Sequence, residues 1–203
     1  NSPYWKRNNI RTQRHTNRLK ADINLGYKVN DNINIKSTSS FYSSIGDGYN
    51  YNNGYADPAF VSDLSGYTRT ETSSYGANTS SYRQFYSDVI ANFDYQLTEE
   101  FHLNANVGAT VNQIFSTNHG VSGTDLTIPG LYNIQNAKSL NSSTDSRELS
   151  RQQAIFADVT LGYKDYLFLN ATARNDWLSN LNGQNFFYPS AGVSFIPTKA
   201  FES

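Results

Sequence analysis

Three histidines, His15, His102 and His119, are the only imidazoles in this 203-residue chain, and they stand far apart in sequence. No H-E-x-x-H pair could clasp a metal, no nucleophile elbow raises a serine, and no glycine motif cradles a phosphate. The absence of cysteine removes thiolate ligands and any disulfide framework. Asp47 and Asp57 lack the ligand spacing and terminal Glu of an EF-hand calcium loop. The inventory therefore argues against an enzyme and implies no metal or cofactor. What does offer chemistry is Gly46-Asp47-Gly48-Tyr49-Asn50-Tyr51-Asn52-Asn53-Gly54-Tyr55. Phenol rings present a flat apolar body with a polar tip, suited to stacking on sugar faces or peptide side chains, so Tyr49, Tyr51 and Tyr55 are the candidate ligand contacts.

Such side chains need a scaffold, and the composition indicates strands. Tyr (15) and Phe (12) are the dominant aromatics, and the intervening stretches are filled by Asn, Ser, Thr and Gly, the residues of sheets and turns. A formal net charge of −1 excludes a polybasic nucleic-acid surface. Periodicity makes the scaffold explicit. Phe101, Leu103, Ala105, Val107, Ala109 and Val111 alternate with His102, Asn104, Asn106, Gly108 and Thr110, a period of two that no helix can use. Across the polar corner Thr98-Glu99-Glu100, the segment Val89 to Leu97 alternates likewise, so the two make a long hairpin with one apolar face.

The same pattern places seven strands. The first covers Asn17 to Val29 and turns through Asn30-Asp31-Asn32 into a second that begins at Ile33 and ends near Tyr42. The hairpin supplies two more, from about Tyr82 to Leu97 and from Phe101 to about Phe115. The last three run from about Gln152 to Tyr163, Tyr166 to Asp176, and Phe187 to Ile196. Long polar stretches at about 43–80 and 116–150 read as extracellular loops.

Very short connections thus alternate with long ones, as in outer-membrane barrels. About 12 residues per strand at ~3.3 Å each gives ~40 Å, and a ~45° tilt reduces this to a bilayer core. The mean hydropathy of −0.60 and the lack of a long apolar run exclude a membrane helix, but a barrel strand shows lipid only every second residue. Aromatics on the apolar parity form two belts. Tyr27, Tyr95, Phe101 and Tyr163 lie beside the short turns, and Phe41, Phe85 and Phe115 beside the long stretches, with an aliphatic band between. Arg18, Lys20, Asp22, Asp88, Asp94 and Asp158 take the opposite, lumen-facing parity. The expected fold is all-β: a partial transmembrane antiparallel up-and-down β-barrel. The lack of Met and the start at Asn1-Ser2-Pro3 add the expectation of a piece of a longer protein.

Three separated motifs then carry a resemblance. Leu161-Gly162-Tyr163-Lys164-Asp165-Tyr166-Leu167-Phe168-Leu169 leads into Arg174-Asn175-Asp176-Trp177, and Phe187-Tyr188-Pro189-Ser190 opens the next strand. In this order, on a hairpin, a strand end and a strand start, they resemble the SusC/RagA-type TonB-dependent outer-membrane transporters. The resemblance covers about Gly130 to Phe201, including Gly130-Leu131-Tyr132-Asn133, and Pro3-Tyr4-Trp5 is similar to a family loop segment. After Trp177 the family often reads Ser-Ser-Thr-Leu, whereas this chain reads Leu178-Ser179-Asn180-Leu181, a departure confined to a loop.

The resemblance implies about seven strands of a plugged barrel of about 22, with residues 1–203 lacking the plug domain. It further implies a bacterial outer-membrane location, a SusD-type surface lipoprotein lid, energy from the TonB complex through the missing plug, and a glycan or oligopeptide cargo. Arg174 and Asp176 share a parity and are expected to pair with neighbouring charges. A passive porin or adhesin barrel and a secreted β-sandwich binding module are the competing expectations.

Overall fold

The computed structural model describes residues 3–56, 70–180 and 185–201. A short helix α1 (Pro3–Asn9) leads into β1 (Ile10–Lys28) and β2 (Ile33–Asn52). Two-residue strands β3 (Tyr55–Ala56) and β4 (Thr70–Glu71) pair antiparallel, with Tyr55 opposite Glu71. The long strands resume with β5 (Ser74–Gln96), β6 (Phe101–Leu126), β7 (Ala137–Tyr163), β8 (Leu167–Leu178) and β9 (Asn185–Phe195), before a last helical turn α2 (Pro197–Ala200). The large sheet has seven strands in the order β1-β2-β5-β6-β7-β8-β9, so each long strand lies beside its neighbour in sequence. This is the expected antiparallel up-and-down arrangement, with β1 and β9 at its two edges. No helix among the described residues is long and apolar enough to cross a membrane.

The strand count agrees with the periodicity, but the strand lengths do not. β2 continues to Asn52 and β5 starts at Ser74, so much of the stretch read as a loop at 43–80 is strand. β6 reaches Leu126 and β7 begins at Ala137, which leaves only 127–136 as the connection within the stretch read as a loop at 116–150. The reason is physical. Ser, Thr, Asn and Tyr on both faces of a strand satisfy the backbone ladder as well as aliphatics do, but they erase the apolar alternation by which a half-buried strand is recognised.

The short turns follow from local chemistry. Asn30 accepts the Asn32 N–H on its side chain at 2.9 Å. Thr98 Oγ1 accepts from the Glu100 and Phe101 N–H groups at 3.2 and 3.1 Å. Lys164 (φ 46°) and Asp165 (φ 58°) hold consecutive left-handed conformations within the three-residue connection 164–166, and the Tyr166 N–H closes the turn on the Tyr163 carbonyl at 3.2 Å.

Contacts divide the described residues into two units. One contains those up to Arg18, Ser43–Tyr82 and Ser116–Glu148; the other contains Leu19–Tyr42, Arg83–Phe115 and those from Leu149 onward. In the second unit, Leu19, Ile23, Leu25, Val107, Leu169 and Val193 all remain exposed. Only Leu126 and Ala154 qualify as buried apolar residues among those described. Among the described residues of this unit nothing packs on that apolar face, so the face requires a covering.

Candidate functional site

In the second unit the even-numbered positions form a polar ladder across neighbouring strands. Lys20 Nζ lies 3.0 Å from Asp22, whose carboxylate also accepts from Ser40 Oγ at 2.6 Å. Asp88 accepts from the Thr38 N–H and the Tyr86 hydroxyl, both at 3.1 Å. Gln84 donates to Asn112 at 2.9 Å, Asn92 to Asn106 at 2.5 Å, and Asn170 to both Asp158 (3.0 Å) and Thr160 (2.9 Å). Asp94 meets His102 Nε2 at 2.7 Å. Arg174 Nε donates to Asp176 at 2.7 Å, and its guanidinium lies over the Phe156 ring at 5.9 Å. The two charges expected to pair with neighbours thus pair with each other.

The odd-numbered positions of the same unit carry the seven belt candidates. Phe41, Phe85 and Phe115 line one depression with Arg83, Gln84 and Gln113, and the Arg83 guanidinium lies 5.2 Å from the Phe115 ring centre. Phe101 and Tyr163 approach to 4.9 Å between ring centres, beside an apolar groove shared with Leu161, Leu167 and Leu169. Tyr166 (5.5 Å from Tyr163) and Phe195 (5.9 Å from Tyr166) extend this row of rings, and the parity pattern had not assigned either. The signal was present in the positions: Tyr166 closes the 164–166 turn, and Phe195 ends its strand. Tyr27 is well exposed and Tyr95 half-buried.

The other unit holds the tyrosine candidates. Tyr49 and Tyr51 on β2, Arg11 on β1, Tyr75 on β5 and Tyr132 from the 127–136 connection line a cavity of about 300 Å³. Tyr51 and Tyr132 stack at 3.7 Å with their planes 14° apart. The Tyr49 hydroxyl donates to Gln13 Oε1 and the Tyr132 hydroxyl to Asn53 Oδ1, each at 2.6 Å. Burial, with the Tyr51 phenol beside it, pushes the Tyr132 hydroxyl above its ordinary pKa. Tyr55 is not part of this cluster; its ring meets the edge of Trp5 at 4.9 Å.

The connection that presents Tyr132 is built by one buried amide. Asn136 Nδ2 donates to the Ile128 and Leu131 carbonyls at 2.8 Å each, while its Oδ1 accepts the Ile128 N–H at 3.0 Å. Gly130 takes φ 79°, a left-handed conformation open to glycine without strain. Asn133 caps the single 3-10 turn Ile134–Asn136 through the Gln135 N–H. Sequence reasoning missed Arg11, Tyr75 and Tyr132 as site residues because three strands and a loop bring them together from distant parts of the chain.

The three histidines do not come together. His119 faces Asp145 at 3.0 Å, His102 faces Asp94, and His15 lies 2.7 Å from the Gln13 amide, in three separate places. No group of three metal-ligating side chains occurs among the described residues, and Asp57 lies outside them.

Comparison with known proteins places this architecture. No curated protein matches the chain in sequence. Among solved structures, one described as the RagAB peptide transporter superposes with a TM-score of 0.81 at 14% identity, covering 99% of this chain and 22% of that one. The RagAB peptide importer in its closed-closed state gives 0.79 at 12% identity, covering 96% and 21%. Its open-open state gives 0.75 at 14%, covering 98% and 21%. The chain therefore spans about a fifth of the length of the solved structures it matches. The profile of the family described as TonB dependent receptor-like, beta-barrel matches residues 1–202, and the chain belongs to that family.

Proposed function

We propose that this chain is a wall segment of a bacterial outer-membrane importer of the SusC/RagA type, energised by TonB and working with a SusD-type lipoprotein lid. The observation that carries the reading is the division of labour between the two parities in one unit. Even positions bond to one another across strands, as a water-facing lumen wall would. Odd positions expose aliphatics between two sets of rings, Phe41, Phe85 and Phe115 at one end and Phe101, Tyr163 and Phe195 at the other, where Tyr166 joins the row from the adjoining turn. Aromatic girdles around an aliphatic band are what a lipid bilayer selects. On this reading Tyr27 and Tyr95 join the second girdle, and lipid covers the apolar face. The 127–136 connection and the β3–β4 pair lie on the extracellular side.

The SusC/RagA motifs and the RagAB fold likeness support that branch of the family. They favour an oligopeptide cargo, with glycans the other nutrient class such proteins import. The work of the complete protein is transport, not catalysis. Its plug would contact TonB, and this segment would supply wall and surface loops.

The test uses the full-length protein. It should fractionate with the outer membrane and require detergent for release. Uptake of its nutrient should stop when the proton gradient is collapsed or TonB is deleted. Recovery without detergent would refute the barrel, and uptake that ignores the gradient would leave a passive porin.

A further inference from the structure

The tyrosine cavity holds two polar groups that no other described residue engages. Of its four phenols, Tyr49 and Tyr132 spend their hydroxyl protons on Gln13 and Asn53. Tyr51 is pressed flat against Tyr132. By contrast, the Arg11 guanidinium and the Tyr75 hydroxyl have no hydrogen bond, ion pair or ring contact with any other described residue, though both line the cavity. An arginine with five N–H donors and no acceptor beside it is an incomplete anion site.

The geometry points to a binding site for a monoanionic carboxylate attached to a flat ring or similar planar face. Arg11 would take the carboxylate in its planar fork with the Tyr75 hydroxyl as an added donor, and the stacked Tyr51–Tyr132 pair would form the wall for the adjoining face. Among the described residues that line the cavity, Arg11 is the one that carries a charge. It matches one negative charge, whereas a doubly charged phosphate would bring a second charge into phenol-lined space with nothing to offset it. A volume of about 300 Å³ suits one amino-acid or sugar residue, not a longer stretch.

Two kinds of molecule carry this chemistry: a peptide ending in, or bearing, a carboxylate next to an aromatic or amide plane, and an acidic sugar. The site goes beyond the transport reading, because binding here neither requires uptake nor implies it.

Calorimetry on the full-length protein in detergent at neutral pH decides the matter, with hippurate and its neutral amide as one pair of probes and galacturonate and its methyl ester as the other. In at least one pair the acid should bind at least about tenfold more tightly than its neutral form. Hippurate alone would identify the peptide-like source, and galacturonate alone the sugar. Arg11→Gln should erase the preference for the acid while leaving the thermal melt unchanged, since Arg11 is exposed. Tyr132→Leu, which removes the stacked wall, should weaken acid and neutral forms alike. Equal binding of acid and neutral forms in both pairs, no binding of any probe at millimolar concentration, a preference that survives Arg11→Gln, or displacement by inorganic phosphate as efficient as by the acid would each overturn the assignment. None of these results bears on membrane fractionation or gradient-dependent uptake, so the two proposals fail separately.

Discussion

Gly108 offers the sharpest mutational test of the lumen-parity face. It is buried in β6, and a Cβ placed on it would lie 2.4 Å from Cζ and 2.9 Å from Cε1 of Phe156, with the Val89 carbonyl oxygen 2.9 Å away. Carbon atoms in contact prefer about 3.5–4.0 Å, so the ring must retreat by more than about 1 Å while the carbonyl on β5 cannot. Movement of Phe156 also disturbs the Arg174 guanidinium stacked over it. Overpacking of this kind costs about 1–3 kcal/mol, offset by about 0.5–1 kcal/mol from removing a glycine within a strand. Gly108→Ala should therefore destabilise the full-length protein by about 1 kcal/mol, within a range of about 0–2.5 kcal/mol, in urea unfolding in phospholipid vesicles. Gly120, on the same strand, is the control. Its added Cβ would meet nothing closer than 3.7 Å, so Gly120→Ala should be neutral or stabilising by about 0.5 kcal/mol. Adding Phe156→Leu to Gly108→Ala should recover stability relative to the sum of the single changes. If Gly108→Ala proves as stable as Gly120→Ala, the close approach of ring and glycine is not what shapes this part of the wall.

Arg174→Met should cost about 1–3 kcal/mol in thermal unfolding, because it strands the Asp176 carboxylate, whose side chain is only 14% exposed; the double variant Arg174→Met/Asp176→Asn should cost less than Arg174→Met alone. Lys164 donates to Glu100 at 2.8 Å, and this bond, with one to Tyr163, raises its pKa above the ordinary 10.5. A raised lysine pKa adds stability that is complete below 10.5 and lost as pH climbs through the folded value. The melting-temperature difference between wild type and Lys164→Met should accordingly hold steady from neutral pH upward and vanish only above 10.5.

The parts of the fold legible in sequence were those where the two faces of a strand meet different surroundings. Leu19 to Val29 and Phe101 to Val111 alternate because one parity bonds to neighbouring polar side chains and the other does not. Strands become illegible at Ser43–Asn52 of β2 and Ser116–Leu126 of β6, where both parities are largely polar and the ladder hydrogen bonds define the element. Turn chemistry was local and therefore readable, as at Asn30–Asn32 and Lys164–Asp165. The tyrosine cavity was half readable. Tyr49 and Tyr51 stood out as exposed rings, but Tyr132 reaches Asn53 across 79 positions, and nothing local to Arg11 shows that it would be left without a partner.

The strand order has a consequence for assembly. Since each of the seven long strands lies beside the next one in the chain, no step of building the sheet must wait for a distant segment, and each added strand closes only the loop that precedes it. The wall can grow one strand at a time from either edge, like a fence extended post by post. A chain cut in the connection between β2 and β5 would still present complementary edges, so two separately made pieces could find each other and complete the same wall.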